Sequence, residues 1–492
     1  MKNKKVIIIG AGVAGLATAA RLASLGFQVQ VYEKNESPGG KLTSMNQNGF
    51  HFDLGPSLFT APYLLKEVFD FAKEPFEEYF EYQELPIAFK YFYEDGTVLN
   101  AYTNTEKFAD ELSEKLNESK DSVFNYLQNA NKLYDNIGNF FIGNSLHKIG
   151  TYLKKDVFEA LIVFKAKYVF KSLHQYNDSK FNHSKTVQLF NRFATYNGSS
   201  PYKAPAMLSM IPHLEHNDGT YYPKGGMISI TNALYKLCVN KCVLFHFNKG
   251  VDRIIANNNK VKGVVVSGEN IYADYVVSNC DVFFTYKKLL QNQALAAKVL
   301  KQERSSSAVI FYWGIKKEFQ ELELHNILFT NDYKAEFESI FSHKKNYNDP
   351  TVYINITSKC EPGLQAPPQK ENWFVMVNAP SNTNINWDEQ IIEIKKNIIN
   401  KINNVLKTNI EELIELEEVL HPSLIESRTS SYLGSLYGTS SNSRFAAFLR
   451  HSNFSKQYNG LYFVGGSVHP GGGIPLCLQS AKITSNILAK SN

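Results

Sequence analysis

Disulfide chemistry is poorly provided for in this chain. Its 492 residues include five cysteines, Cys238, Cys242, Cys280, Cys360 and Cys477. An odd, scattered set gives no pairing framework and points to a reducing compartment. Cys238, Cys242 and His246 fall four apart, but they straddle a predicted helix-to-strand break and no second ligand pair follows, so no metal is expected. Charge is close to balanced, at net +5, and no basic stripe suits a nucleic acid. No apolar run reaches the length of a transmembrane helix. The N-terminus imitates a secretory leader, with Lys2, Lys4 and Lys5 ahead of an uncharged run from Val6 to Ala20. That same run carries a glycine pattern that cleavage would destroy. A cytoplasmic protein, at most peripherally attached to a membrane, is expected. Also missing is any acid–base dyad or triad. His51, His325 and His469 fall in motif-like segments but read as structural histidines, and the catalytic residues stay unassigned.

What is present begins with aromatics, 34 Phe and 28 Tyr. They are core by default, or the lining of a long apolar channel. The length implies two or three domains. The organising stretch is Val6-Ile7-Ile8-Ile9-Gly10-Ala11-Gly12-Val13-Ala14-Gly15. Its apolar run reads as a buried parallel strand. Gly10 makes the turn off the strand, Gly12 admits a pyrophosphate to the backbone, and Gly15 lets helix and strand pack closely. The helix N-terminus then favours the phosphate's negative charge. A second strand, Phe27 to Tyr32, ends in Glu33, the expected place for an acid that grips a ribose hydroxyl. Pro38-Gly39-Gly40-Lys41-Leu42 follows, with glycines that bring backbone near a ligand and a lysine that can meet a phosphate. Near the other terminus, Leu461 to Pro475 is again strand, glycine loop and helix. Its loop is bare of side chains, as a flat ring against backbone requires.

Glu33-Lys34, Gly39-Gly40-Lys41 and Phe52-Asp53-Leu54-Gly55-Pro56 together resemble the FAD-binding opening of the carotenoid (phytoene) desaturase family. That family groups with amine oxidases and Rab GDP-dissociation inhibitors. Tyr222 to Met227, Tyr272 to Asn279, Gly434 to Gly438, Phe448-Leu449-Arg450 and Gly465 to Pro475 resemble further family segments. The resemblance implies FAD, held by Gly10, Gly12, Val13, Ala14, Gly15, Glu33, Lys34, Gly40, Lys41, Leu42, Gly55, Pro56 and Ser57. It also implies a backbone contact to adenine at Val251 and a flavin platform of Gly466, Ser467, Gly473, Ile474 and Pro475. The family usually has Arg at the Lys41 position, and lysine keeps the charge but not the two-pronged geometry. Many flavoproteins have Asp where Ser467 stands, so a ribityl contact falls to Ser467 or to backbone.

The fold class expected is α/β: a Rossmann-like FAD-binding domain, a β-sheet substrate domain and a helical, membrane-associating subdomain. The FAD-binding domain takes 1–85, 216–285 and 456–492, the substrate domain 86–104 and 286–455, and the helical subdomain 105–215. Strands are expected at Ser307 to Trp313, Val352 to Thr357 and Trp373 to Asn378, with a helix from Trp387 to Leu406 over them. Within Leu146 to Lys185, eight lysines face only Asp156, Glu159 and Asp178, among apolar residues such as Leu161, Ile162, Val163 and Phe164. This reads either as a basic amphipathic helix on an anionic membrane or as a core helix with a solvated lysine face, and the family's membrane-dissolved substrates favour the first. The resemblance implies desaturation of a carotenoid by hydride transfer to flavin. It leans toward C-3,4 desaturation of a hydroxylated end, with oxygen or a quinone as electron acceptor. Phytoene desaturation, carotenoid cis–trans isomerisation, amine oxidation and a flavin-free lipid carrier of the GDP-dissociation-inhibitor type are the alternatives. NAD in place of FAD is disfavoured by the C-terminal glycine loop.

Overall fold

The computed structural model describes residues 4–152, 167–382, 384–443 and 449–491. Strand β1 (Lys5–Ile9) is central in a five-stranded sheet whose strands all run parallel. The order across it is Leu244–His246, β2 (Gln28–Tyr32), β1, Tyr275–Ser278 and Leu461–Phe463. Both faces of β1 are covered, which is why four consecutive apolar residues are tolerated there. Val6 and Ile8 pack with residues of helix α1 (Val13–Ser24), of Ile228–Asn240 and of the C-terminal helix Ile474–Ala489. Ile7 and Ile9 pack toward an antiparallel sheet of Val251–Asn257, Lys260–Val266 and Glu269–Tyr272. The pairing of Val276 with Leu461 and of Ser278 with Phe463 brings the last strand within two places of the first.

A second, seven-stranded sheet is mixed. Its order is Ile414–Leu420, Ser307–Ile315, Glu371–Ala379, Val352–Asn355, His325–Leu328, Ile87–Phe92 and Val98–Tyr102. Alternation along its strands separates two faces. Val309, Phe311, Trp313, Val375 and Val377 meet Trp387, Ile394, Ile398 and Ile402 of the helix Trp387–Leu406. Ile310, Phe374 and Met376 point the other way, toward the parallel sheet, and line a cavity. Helices between Thr105 and Gly143 and between Lys167 and His216 close the edge beside Ile87–Phe92, on a core that includes Phe108, Leu127, Phe190 and Ile211.

Much of the basic amphipathic helix anticipated falls on residues that are not described. Lys154, Lys155, Asp156, Glu159, Leu161 to Phe164 and Lys165 lie outside the described residues, as does Phe448. Beyond them the chain forms short helices, Lys167–Phe170 and Leu173–Asp178, split at Ser172. Ser172 starts a new helix because its Oγ accepts from Gln175 N while Gln175 Oε1 accepts from Ser172 N, a reciprocal cap. Lys185 is paired with Asp95 and Lys180 lies over the Tyr176 ring. Among the described residues no helix is long and apolar enough to cross a membrane.

Candidate functional site

A cavity of about 690 Å³ opens at the carboxyl ends of the parallel strands and runs to the inner face of the seven-stranded sheet. Gly10, Gly12, Val13, Ala14, Glu33 and Lys34 line one end of it. Gly40, Lys41, Leu42, Gly55, Pro56, Ser57 and Val251 line its walls, and Gly466, Ser467, Gly473, Ile474 and Pro475 line it from the other terminus. Gly15 alone of the anticipated residues stands behind it, where a Cβ would lie 2.3 Å from Gly10 O. Its part is the close strand–helix contact that makes the turn possible.

At the first end, Gly10 has φ +96° and α1 opens directly on the cavity, with Gly12 as its uncapped N-terminal residue. Buried Glu33 accepts from Ala11 N at 2.8 Å and from Asn35 N at 3.0 Å, which fixes its carboxylate at the cavity wall. Lys34 Nζ donates to Ser427 O at 2.7 Å and so ties this end to a distant loop. Gly39 N donates to Ala11 O at 2.9 Å. The second glycine pair therefore lies against the first, so closely that a Cβ on Gly40 would come 3.2 Å from Gly12 Cα.

Asn279 locks the two termini together. With its amide oriented to satisfy both ends, Oδ1 accepts from Gly12 N at 3.2 Å and Nδ2 donates to Val464 O at 3.3 Å. One side chain thus bridges the loop after β1 and the loop after Leu461–Phe463. Gly473, at φ +99°, precedes the C-terminal helix, whose first turn carries Pro475 and faces the cavity. Gly438 packs on Ser467, with a Cβ position 2.8 Å from Ser467 Cα. The segment Gly434 to Gly438 is therefore a wall of the same site.

Two polar side chains differ from expectation. Lys41 is not free to reach out. Its ammonium donates to Leu436 O at 2.7 Å and Ser435 O at 3.1 Å across the cavity. Burial pushes it down to about 8, Asp281 and Cys477 oppose that, and Arg304 adds to it. Ser467 Oγ accepts from Val282 N at 3.1 Å, which uses one of its lone pairs and leaves its proton for another partner. Next to it Asp281 takes Arg304 Nη2 at 3.0 and 3.2 Å. Arg450 donates to Tyr437 O at 2.8 Å and is pushed down to about 10 by burial and by Arg304. Lys41 and Arg304 thus stand near one carboxylate, Asp281, with Arg450 near Arg304, and the surplus positive charge suits an anionic group in the cavity.

The far arm is apolar, walled by Ile310, Phe374 and Met376 of the sheet and Leu208, Ile211 and Ile137 of the helices. Polar residues interrupt it, among them Tyr353 and Asn378 of the sheet and Arg192 and Tyr196 of a helical turn. The three candidate histidines are each held in hydrogen bonds. His325 Nδ1 accepts from Tyr353 Oη at 2.8 Å and Asn355 Nδ2 at 3.1 Å, burial pushes the ring down to about 3, and it is not among the lining residues. His469 lines the cavity, but its Nε2 donates to Asn144 O at 2.8 Å and burial pushes it down to about 4. His51 pairs with Asn46 Oδ1 at 2.8 Å, away from the cavity.

Residues 13–489 match the family model described as flavin containing amine oxidoreductase. A 1-hydroxycarotenoid 3,4-desaturase of Flavobacterium sp. (strain P99-3) is 51% identical over 489 residues, covering 99% of this chain and 100% of that one. The chain belongs to the carotenoid desaturase family of flavin-containing amine oxidoreductases. A 4,4'-diaponeurosporene oxygenase of Staphylococcus haemolyticus (strain JCSC1435) is 31% identical over 98% of this chain and 96% of its own. Among solved structures, an oxidoreductase from Methanosarcina mazei superposes with a TM-score of 0.61 at 16% identity, covering 99% of this chain and 100% of that one, a likeness of fold. This member of the family is an oxidoreductase and its cofactor is FAD. The cavity fits that group on its own geometry: bare backbone at both ends, an acid where a ribose would lie, and surplus buried positive charge for a pyrophosphate or an electron-rich ring.

Sequence reading placed Asn279 and Arg450 in family-like segments without giving them a role, and passed over Arg304, Arg192 and Tyr196. Asn279 had a signal, a polar residue directly after the buried strand Tyr275–Ser278, where ligands of α/β sheets bind. The two far-arm residues had none, because they lie where the family pattern is absent.

Proposed function

We propose that the protein desaturates a carotenoid, introducing the 3,4 double bond into a hydroxylated end as its Flavobacterium relative's name describes. The observation that carries this is the continuity of one cavity from the nucleotide end, past the C-terminal glycine loop, into an apolar arm. A polyene end could lie there beside the ring of the cofactor. An amine suits the arm poorly. Arg192, paired with buried Glu215, presents a guanidinium to the cavity, which repels a cationic substrate, and Asp281 is already taken by Arg304.

In this reading the N–H groups at the start of α1, at Val13 and Ala14, bind the pyrophosphate, Glu33 holds the ribose and backbone at Val251 meets the adenine. Lys41 and Arg450 offset the cofactor's negative charge. Gly466 to Pro475 form the platform for the ring, with the positive end of the C-terminal helix beside it. Bound FAD supplies the hydride acceptor. The chain's contribution is to align a CH2–CH2 unit and keep water out, since a cation next to the polyene is delocalised and its proton is lost without a strong base. Oxygen or a quinone re-oxidises the cofactor. We take 1–85, 216–285 and 456–492 as the cofactor-binding unit and 86–104 with 286–455 as the substrate unit. Contact with an anionic membrane surface occurs through the basic region 146–185. Phe141, Ile142 and Leu146 line the cavity, Ile149 and Tyr152 follow them closely in the chain, and these two and Phe170 are exposed.

Expression in cells that make phytoene, lycopene or hydroxylated γ-carotene, followed by chromatography of the pigments, tests the reading. Conversion of the hydroxylated carotenoid is expected. Conversion of phytoene alone overturns the substrate, and no conversion together with FAD-free protein overturns the activity.

A further inference from the structure

In the apolar arm, Arg192 and Tyr196 sit four residues apart on one short helical turn, Arg192–Asn197. Arg192 is 5% exposed and its Nη2 donates to both oxygens of fully buried Glu215, each at 2.9 Å. Its guanidinium is boxed by rings, with Cζ 4.2 Å from the Phe89 centroid, 4.6 Å from Phe193 and 5.4 Å from Tyr196. Among the described residues, Arg192 Nε and Tyr196 Oη are buried without a hydrogen-bond partner. Both residues line the cavity.

An unpaired buried N–H and an unpaired buried hydroxyl each carry a desolvation cost, which a ligand atom would relieve. The chemistry of that atom is narrow. Glu215 already compensates Arg192, so a carboxylate end would face Glu215 and be repelled. A cationic end would face Arg192 and be repelled. A neutral oxygen meets neither penalty. A hydroxyl oxygen accepts from Arg192 Nε, while its own proton goes to Tyr196 Oη. A hydrocarbon end leaves both groups unpaired.

We infer that Arg192 and Tyr196 form an end-group subsite that selects polyenes ending in a hydroxyl over the corresponding hydrocarbons. The inference rests on the desaturase reading and names residues for its substrate preference.

The test uses FAD-loaded full-length protein and two polyenes of equal length, one with a terminal hydroxyl and one without. Affinity is read from quenching of protein fluorescence, and desaturation of each is followed by chromatography. Tyr196→Phe keeps the ring and removes only the hydroxyl. It is expected to weaken binding of the hydroxylated polyene about tenfold, the loss of one buried hydrogen bond, and to leave the hydrocarbon unchanged. Arg192→Lys keeps the charge opposite Glu215 and removes the Nε donor, and it should also lower the preference. An unchanged affinity ratio in Tyr196→Phe overturns the subsite. So does a wild-type protein that binds both polyenes equally. Desaturation of either polyene with no Tyr196 effect leaves the activity standing and removes only the inference. Tenfold discrimination without desaturation removes the activity and keeps the subsite.

Discussion

The Asn279 amide joins two loops that belong to opposite ends of the chain, by Gly12 N and Val464 O. Asn279→Leu leaves both backbone groups unpaired, and a loss of about 1–3 kcal/mol in stability is expected, read from thermal or denaturant unfolding. Asn279→Asp keeps an acceptor for Gly12 but adds negative charge beside the proposed pyrophosphate position at the start of α1, so FAD content of the purified protein should fall further than stability. Lys41 predicts a pH dependence. Burial lowers its ammonium from 10.5 to about 8. Between those values the unfolded chain holds a proton that the folded, cofactor-free protein has released, so folding stability rises with pH across that window. FAD affinity is expected to move the opposite way, falling above pH 8 as the ammonium proposed to offset the cofactor's negative charge is lost. Unfolding midpoints of cofactor-free protein and FAD titrations at pH 7 and 9 measure the two trends, and Lys41→Met should flatten both. Residues with one local job were legible in advance. Gly10, Gly12 and Gly15 report a turn and close approaches that only glycine permits, and Glu33 follows from the length of the β–α–β unit. Arg192 and Glu215 were not, because a buried ion pair is defined by a partner 23 residues away in another helix.

At the scale of elements, the helix Trp387–Leu406 and its sheet follow from spacing alone. Ile394, Ile398 and Ile402 recur every four residues and are buried, and Trp387 starts the apolar stripe. The strands beneath it alternate, but alternation in the sequence does not say which face meets a helix and which meets a ligand. Phe374 and Met376 look as core-like as Val375 and Val377. The structure separates them, and the difference is measurable. Val375 is fully buried against the helix face, and Val375→Ala should cost about 2 kcal/mol of stability. Met376 is half-buried and lines the cavity, so Met376→Ala should cost less than half of that in unfolding experiments while shifting which polyene ends are accepted. The basic region shows the reverse limit. Lysine count over Leu146 to Lys185 sets no helix boundary, whereas Ser172 and Gln175 carry a capping signal that starts the helix Leu173–Asp178, because capping is more local than charge.

For the whole molecule, the remaining question is how a water-insoluble polyene reaches a cavity enclosed by two sheets. The cavity wall includes Phe141, Ile142 and Leu146, and the chain immediately beyond presents Ile149 at 84% exposure and Tyr152 at 48%. Phe170 is 64% exposed, with Lys167 and Lys171 three residues before it and one after. Isolated exposed apolar side chains need no explanation, but a pair that follows a cavity wall in the chain, and another flanked by lysines, fit insertion at a lipid headgroup layer. Each lysine near an anionic surface adds about 1 kcal/mol, and the attraction falls off within a Debye length. Binding to vesicles containing anionic lipid is therefore expected to weaken steeply with added salt, and binding to neutral vesicles to be weak throughout. Ile149→Glu combined with Tyr152→Glu should reduce vesicle binding at least tenfold in a flotation assay. The FAD content of the same variant should stay at the wild-type level, because neither residue lines the cavity. Turnover of polyene presented in vesicles should fall with binding, whereas turnover of polyene in detergent micelles should not. Equal losses in both would mean that the substitutions damage the site itself rather than the route into it.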